Sequence, residues 1–282
     1  MRNLELYLRP ESPQQAVEMK RQRGDEAVYL GGGSDLLVHR PDGARVAIDI
    51  RHAGISRIWR QDGHIHIGGA TLLRDVELDL PQVAGGMLRE AVRETAPWLI
   101  RNAATLAGNI ANASPAADAV PALLALDAQL NLLGEFEESA SLEDTLVGPH
   151  QTALRGRLIH NIFIDKDAAR RTGAFIKLSR SKSDIAQVNV AVAFRRDGTV
   201  VRDVRIALGA VAPTAIRAHA AEAELEGRPV GSETLESVAR VVATEVRPIS
   251  DWRASADYRR RMSAVLVRRA IESAYARSGN GV

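Results

Sequence analysis

Gly31-Gly32-Gly33-Ser34-Asp35 follows directly on the short apolar run Ala27–Leu30. Glycines tolerate positive φ and let a backbone approach a ligand closely. Successive N–H groups in such a turn form a nest that attracts phosphate oxygens. Ser34 adds a hydroxyl donor. A glycine run is a weak signal alone, and a plain turn between a strand and a helix reads the same way. The spacing is not the G-x-G-x-x-G of a dinucleotide fingerprint, and no Gly-Lys-Ser/Thr follows as in a phosphate-binding P-loop. A second stretch, Arg101 to Asp118, is small-residued and polar between apolar flanks. Its Asn, Thr and Ser side chains can fold around a ligand as donors. Asp118 can accept from a sugar hydroxyl, or simply cap the helix that follows it.

Other chemistry is poorly supported. His64 and His66 share one strand face, but no further metal ligand lies at a recognisable spacing, and solvated strand histidines read the same way. Glu135 to Glu138, with Glu143 and Asp144, read as solvated acidic surface. No serine is flanked like a hydrolase nucleophile. The chain contains no cysteine, so it can form neither disulfides nor cysteine-ligated iron–sulfur clusters.

The elements that must hold the two stretches are legible from pattern. Leu4–Leu8 reads as a strand. Ser12, Pro13 and Gln15 open a helix as cap, first residue and capping-box partner, and Gly24 closes it. Ala27–Leu30 and Arg45–Ile50 read as strands around the glycine loop. Ile55–Trp59 and His64–Ile67 flank Gln61-Asp62-Gly63 as a hairpin. Helices follow from Thr71 and over Gly85–Thr95, then Arg101–Asn109 is non-periodic and reads as loop. Asp118–Leu126 is helical, and Ala128–Leu133 and Leu158–Ile164 are strands. Asp165–Arg171 reads as a charged linker. Beyond it come strands Phe175–Leu178, Val188–Phe194 and Val200–Ala210, then helices over Ala220–Glu226, Leu235–Val246 and Tyr258–Ala276. Strands followed by helices suggest a separate α+β unit.

Bulk properties set the frame. The 282 residues are 45% apolar and 26% charged, with a formal net charge of +2. That composition suits a globular protein with a sizeable core. Its charges are interspersed. The densest basic run, Arg259–Arg261, sits in the last helix without aromatic platforms, so nucleic acid is not an expected partner. No apolar run is long enough to cross a bilayer, and the first residues lack the apolar core of a secretion signal. The expected compartment is the cytoplasm.

Taken together, the motifs resemble a family: the FAD-binding medium subunits of the molybdenum hydroxylases, the xanthine dehydrogenase and carbon-monoxide dehydrogenase group. The matching residues are Gly31–Asp35, Thr105–Asn109, Ser114-Pro115-Ala116-Ala117-Asp118 and the run Leu123 to Ala128. Ile67–Thr71, Phe175-Ile176-Lys177, Asp184–Asn189 and Ala256–Arg259 add to them, in family order over nearly the whole chain. The resemblance implies an α+β fold: a two-lobed FAD-binding PCMH-type domain, like that of vanillyl-alcohol oxidase relatives. Its span would be 1–170, with lobes at about 1–52 and 53–170, and a small C-terminal α+β domain would occupy 171–282. It implies that Leu30, Gly31, Gly32, Gly33, Ser34, Asp35 and Leu36 lie along the FAD pyrophosphate. Thr105, Gly108 and Asn109 would approach from the other side, with Ser114 downstream. Asp118 would hold the ribose or adenosine end. Lys177 matches the family's flavin-proximal lysine, where a cation can tune the flavin potential, although an exposed strand lysine would read alike.

The resemblance also implies partners. Electrons would arrive from 2Fe-2S clusters, which a cysteine-free chain cannot build, so a small iron–sulfur subunit and a large subunit with the molybdenum cofactor are expected. A soluble acceptor would take the electrons. A self-sufficient flavoprotein of the same fold, or a flavin-free scaffold, remain as alternatives. One residue departs from the family: Ala107 stands where glycine is usual. Alanine is strained if that position has positive φ, and fits if it merely has to be small. Replacing Ala107 with Gly is expected to leave FAD occupancy unchanged or raised.

Overall fold

The computed structural model describes residues 4–39 and 41–279. Met1–Asn3, part of the stretch read against a secretion signal, lies outside them. The first layer is a parallel sheet of β1 (Leu6–Leu8), β2 (Ala27–Leu30) and β3 (Val46–Asp49), in the order β1-β3-β2. Helix α1 (Pro13–Arg23) covers one face, where Ala16, Ala27, Val46 and Ile48 are buried together. Its start follows the sequence closely. Ser12 Oγ accepts from the Gln15 N–H at 3.1 Å, and Gly24 leaves the last turn at φ 54°. The opposite face carries Tyr7, Val28 and Ala47, by strand alternation.

The second layer is an antiparallel sheet in the order β4-β5-β10-β6-β7. Its strands are β4 (Ile58–Gln61), β5 (His64–Gly68), β6 (Gln129–Leu133), β7 (Glu137–Ser141) and β10 (Leu158–Asp165). The β4–β5 turn has positive φ at Asp62 and Gly63, the geometry that suits a two-residue hairpin. Between β5 and β6 the chain forms α2 (Leu73–Asp79), α3 (Met87–Thr95), α4 (Trp98–Arg101), α5 (Leu106–Asn112) and α6 (Ala119–Leu124). A short helix α7 (Leu142–Thr145) and the ribbon β8 (Leu146–Gly148) with β9 (Gln151–Thr152) precede β10. The acidic run read as solvated surface is in part the edge strand β7, whose exposed charged residues discourage further pairing.

The third sheet orders β11-β12-β13-β14: β11 (Thr172–Leu178), β12 (Val188–Asp197), β13 (Val200–Gly209) and β14 (Ile216–Arg217). Helices α9 (His219–Leu225), α10 (Ser232–Glu245) and α11 (Ala256–Ser278) follow. β12 is buried from Val188 through Phe194 because both faces are covered. Ala191 and Ala193 face the core shared with α3 and α6, while Val190, Val192 and Phe194 face α10 and α11. Small residues on one face let the helices approach, and larger ones fill the other.

The expected linker at Asp165–Arg171 is not a free connection. Lys166–Ala169 forms helix α8, and Arg171 is buried. Arg171 bonds Asp127 at 2.7 Å and Asp203 at 2.8 Å. Asp127 also receives Arg205 at 2.9 Å and Arg217 at 2.8 Å. Three guanidiniums from the third sheet region thus converge on the carboxylate that ends the run after α6.

Candidate functional site

The first glycine loop leaves the carboxyl end of β2, the edge where open parallel sheets present ligand crevices. Gly33 has φ 69°, and residues from Ser34 onward turn back on themselves. The N–H of Leu37 bonds the Gly33 carbonyl at 3.1 Å, and that of Val38 bonds the Asp35 carbonyl at 2.8 Å. Asp35 pairs with His39 at 3.2 Å, and Ser34 is exposed. The loop lines a cavity of about 660 Å³ on the open face of the sheet, together with Leu4, Tyr7, Val28, Ala47 and Arg51. Sequence reasoning missed its polar wall. Asp49 is fully buried, accepts from the Tyr7 hydroxyl, and takes Arg51 at 2.9 and 2.7 Å. Burial pushes its carboxyl upward, but the bonds from Arg51 and Tyr7 win and hold it down at about 2. An ionised Asp49 therefore fixes Arg51 at the rim of the cavity.

The second stretch is not the loop that its composition suggests. Trp98–Arg101 is one helical turn, and Leu106–Asn112 is helix α5. Thr105 caps α5: its Oγ accepts the Gly108 N–H at 3.0 Å. The hydroxyl hydrogen remains available to donate. Ala107 lies inside this helix, buried, so the position calls for smallness and not for positive φ. Pattern reasoning failed here because seven residues of Leu-Ala-Gly-Asn-Ile-Ala-Asn are too short and too small-residued to show a 3.6 period.

The two stretches touch. A Cβ on Gly31 would sit 2.9 Å from Thr105 Oγ, and one on Gly32 only 1.8 Å from the Ala103 carbonyl oxygen. Glycine at 31 and 32 is what permits this approach. On α5, Asn109 Oδ1 is buried and has no hydrogen-bond partner. A buried amide left without a partner is costly, and it suits a ligand that would supply one. This orphan, together with a glycine cradle beside a sizeable cavity, fits a dinucleotide cofactor.

Downstream, Ala113 reverses the chain at φ 45°, and Ser114 Oγ accepts the Ala116 N–H at 3.4 Å. Asp118 and Lys177 come together, which neither reading of them had anticipated. Lys177 Nζ donates to Asp118 Oδ2 at 2.8 Å and to the Glu94 carbonyl at 2.8 Å. Their side chains are 5% and 4% exposed, so Lys177 is no surface lysine. Asn189 Nδ2 occupies the other carboxylate oxygen at 2.6 Å. Burial outweighs Lys177 and Asn189, and the Asp118 carboxyl is pushed up to about 6. Both oxygens are thus engaged by the C-terminal sheet, so Asp118 serves first as an anchor for the segment. His64 and His66 face out of β5: His66 stacks between Trp59 and Phe163, and His64 meets Phe163 edge-on. No group of three or more potential ligands for a metal occurs among the described residues. No helix among them is long and apolar enough to cross a membrane.

Comparison with known proteins agrees with this geometry. Residues 2–166 match the family described as the FAD binding domain in molybdopterin dehydrogenase. Residues 173–274 match the CO dehydrogenase flavoprotein C-terminal domain. The carbon monoxide dehydrogenase medium chain of Hydrogenophaga pseudoflava is 30% identical, over 96% of this chain and 97% of its own. A putative xanthine dehydrogenase FAD-binding subunit of Escherichia coli K12 is 30% identical over 90% of each chain. A solved carbon monoxide dehydrogenase from Hydrogenophaga pseudoflava superimposes with a TM-score of 0.92 at 31% identity, covering 97% of this chain and 98% of that one. Quinoline 2-oxidoreductase from Pseudomonas putida 86, at 23% identity and a TM-score of 0.88, shares the fold.

Proposed function

The chain belongs to the family of FAD-binding medium subunits of molybdenum hydroxylases, and from that premise we propose that it is the electron-transfer subunit of such an enzyme, working in the cytoplasm. Bound FAD would supply the redox chemistry, accepting electrons from one partner and yielding them to another. This chain's residues bind and orient it. Gly31, Gly32 and Gly33 present backbone beside the pyrophosphate, with Leu30, Ser34, Asp35 and Leu36 shaping the turn. Thr105 would donate its hydroxyl hydrogen from the facing segment, and Asn109 would offer its unpaired amide oxygen as an acceptor. Gly108 keeps the surface of α5 free of a side chain, and Ser114 shapes the turn beyond the helix. Lys177 brings positive charge to the far end of the segment, held by Asp118. The observation that carries this reading is the contact of Ala103–Thr105 with Gly31–Gly32, glycines that also line the cavity.

The partners follow from chemistry. Without cysteine the chain cannot carry a thiolate-ligated cluster, so a 2Fe-2S small subunit would deliver the electrons. A large subunit would hold the molybdenum cofactor, and a soluble acceptor would oxidise the flavin. Trp98, Leu99 and Ile100 are exposed on α4, immediately before the second cofactor stretch. Contiguous exposed apolar surface of this kind suits a subunit interface. The test is direct. The purified chain should show a flavin absorbance spectrum and release FAD on denaturation, and complexes from native cells should contain two further subunits. Release of FMN, or of no flavin, refutes the cofactor assignment. Recovery of the chain alone with full substrate turnover refutes the partners.

A further inference from the structure

Arg259, in the first turn of α11, is among the largest side chains with almost no exposure, at 1%. One terminal nitrogen donates to the Gln187 carbonyl at 2.9 Å and to the Ala210 carbonyl at 3.0 Å. The other donates to Asp251 at 2.7 Å. Gln187 leads into β12 and Ala210 follows β13, so one guanidinium clamps the ends of two adjacent strands. Asp251 is itself held by Arg253 at 3.0 and 2.6 Å. The bonds from Arg253, with the charge of Arg259 beside it, keep the Asp251 carboxyl well below its usual range, so it stays ionised.

Burying an arginine against one shared carboxylate is a poor route to stability, because apolar side chains of similar volume in place of the whole pair often do as well. A planar guanidinium supplies direction: it fixes several acceptors in one geometry. The acceptors here lead to the cofactor segment. Ala210 has φ 63°, unusual for a residue with a Cβ, and its N–H donates to the Pro115 carbonyl at 2.6 Å. Asn189, two residues beyond Gln187, donates to the Ala117 carbonyl at 3.4 Å and to Asp118 at 2.6 Å. Ala116, Ala186 and Ala210 pack together as a small apolar cluster between the two parts. The segment Pro115–Asp118 is therefore held from the C-terminal domain at successive points, and Arg259 braces two of the strand ends that hold it.

We propose that Arg259 is a positioning residue for the cofactor: by fixing Gln187 and Ala210 it sets the place of Ser114–Asp118, so the C-terminal helix governs FAD affinity without touching FAD. This rests on the FAD-binding reading above. Binding is then reciprocal, and FAD should tighten the start of α11. The experiment titrates FAD into the flavin-free full-length chain and its R259M and R259K variants, with apo melting temperatures alongside. Hydrogen exchange of the wild type is followed with and without FAD. R259M should lower the apo melting temperature and, at temperatures where its apo form stays folded, bind FAD at least tenfold more weakly, and R259K should recover part of both losses. In the wild type, FAD should slow exchange at 113–118, at Ala210 and over Ser255–Arg259. Equal FAD affinity in all three proteins overturns the proposal. So does wild-type exchange protection that stops at residue 118, which decides the matter even if a variant fails to fold. A wild-type chain that binds no FAD instead refutes the reading on which the proposal rests.

Discussion

Replacing Gly32 with alanine tests the contact on which the site depends. The added Cβ would lie 1.8 Å from the Ala103 carbonyl oxygen, 2.5 Å from its carbon and 2.7 Å from Ala104 Cα. All three are backbone atoms, so no rotamer change relieves the clash. Gly32 does not have positive φ, so the cost is steric and not conformational. Bringing the closest contact from 1.8 Å to a tolerable 3.0 Å parts the two strands of the cradle by roughly 1.2 Å. Overpacking of this kind costs about 1–3 kcal/mol, and more where backbone must move. At about 1.4 kcal/mol per tenfold, that predicts FAD binding weaker by roughly 5- to 140-fold. The assay is the FAD dissociation constant from quenching of free-flavin fluorescence, with the apo melting temperature measured in parallel. Gly31→Ala is the graded comparison, since its nearest atom is the Thr105 hydroxyl at 2.9 Å, which a side chain can move. Its loss should be smaller. If Gly32→Ala destabilises the apo chain but binds FAD as tightly as the wild type, the contact does not shape a cofactor site and the reasoning fails.

Other perturbations probe separate parts of the structure. Asp118 takes up its proton near 6 in the folded chain, above the 3.8 of an ordinary aspartate. The folded state therefore binds more protons than the unfolded state between these values, and this contribution to stability is lost as pH rises from about 4 to about 6. Denaturant titrations across that range should show the downward slope in the wild type and a flatter one in Asp118→Asn; equal slopes would remove the assignment. Asp127→Asn leaves Arg171, Arg205 and Arg217 without their shared carboxylate. Breaking buried pairs costs about 3–5 kcal/mol, reduced here because Asp127 is part exposed, so a loss of about 2–3 kcal/mol is expected by urea denaturation. Ala107→Gly should lower stability by about 1 kcal/mol, as glycine does inside a helix, while FAD occupancy does not fall; a clear loss of flavin would contradict the helical role of this position. Trp98→Glu should leave FAD in place but weaken association with the partner subunits by about 30-fold or more, as loss of an aromatic anchor does. An undiminished complex in pull-down from native cells would place the interface elsewhere.

Legibility in the sequence followed the range of the interactions concerned. Helix α1 could be read to its ends because Ser12, Pro13 and Gly24 act within a few residues of themselves. β12 could be read because full burial on both faces leaves an apolar run broken only at Asn189. Helix α5 could not: its cap is a threonine like many others, and that cap, with Ala103 and Ala104 before it, meets the Gly31–Gly32 loop more than 70 positions earlier in the chain. The same holds for Asp118. Seen locally it is a helix cap or a hydroxyl acceptor, but its partners Lys177 and Asn189 lie 59 and 71 residues away on a different sheet. Family motifs pointed to Lys177 and to the Asp184–Asn189 stretch without saying that they meet Asp118. Only the packing of β11 and β12 against α3 and α6 brings them together, and it changes what the motifs mean. The residues that follow the second cofactor stretch are directed inward, toward the C-terminal domain. On the proposed reading that domain is part of the device that holds the cofactor segment in place, with the buried charges of Lys177 and Arg259 and the buried amide of Asn189 setting the geometry of Ser114–Asp118.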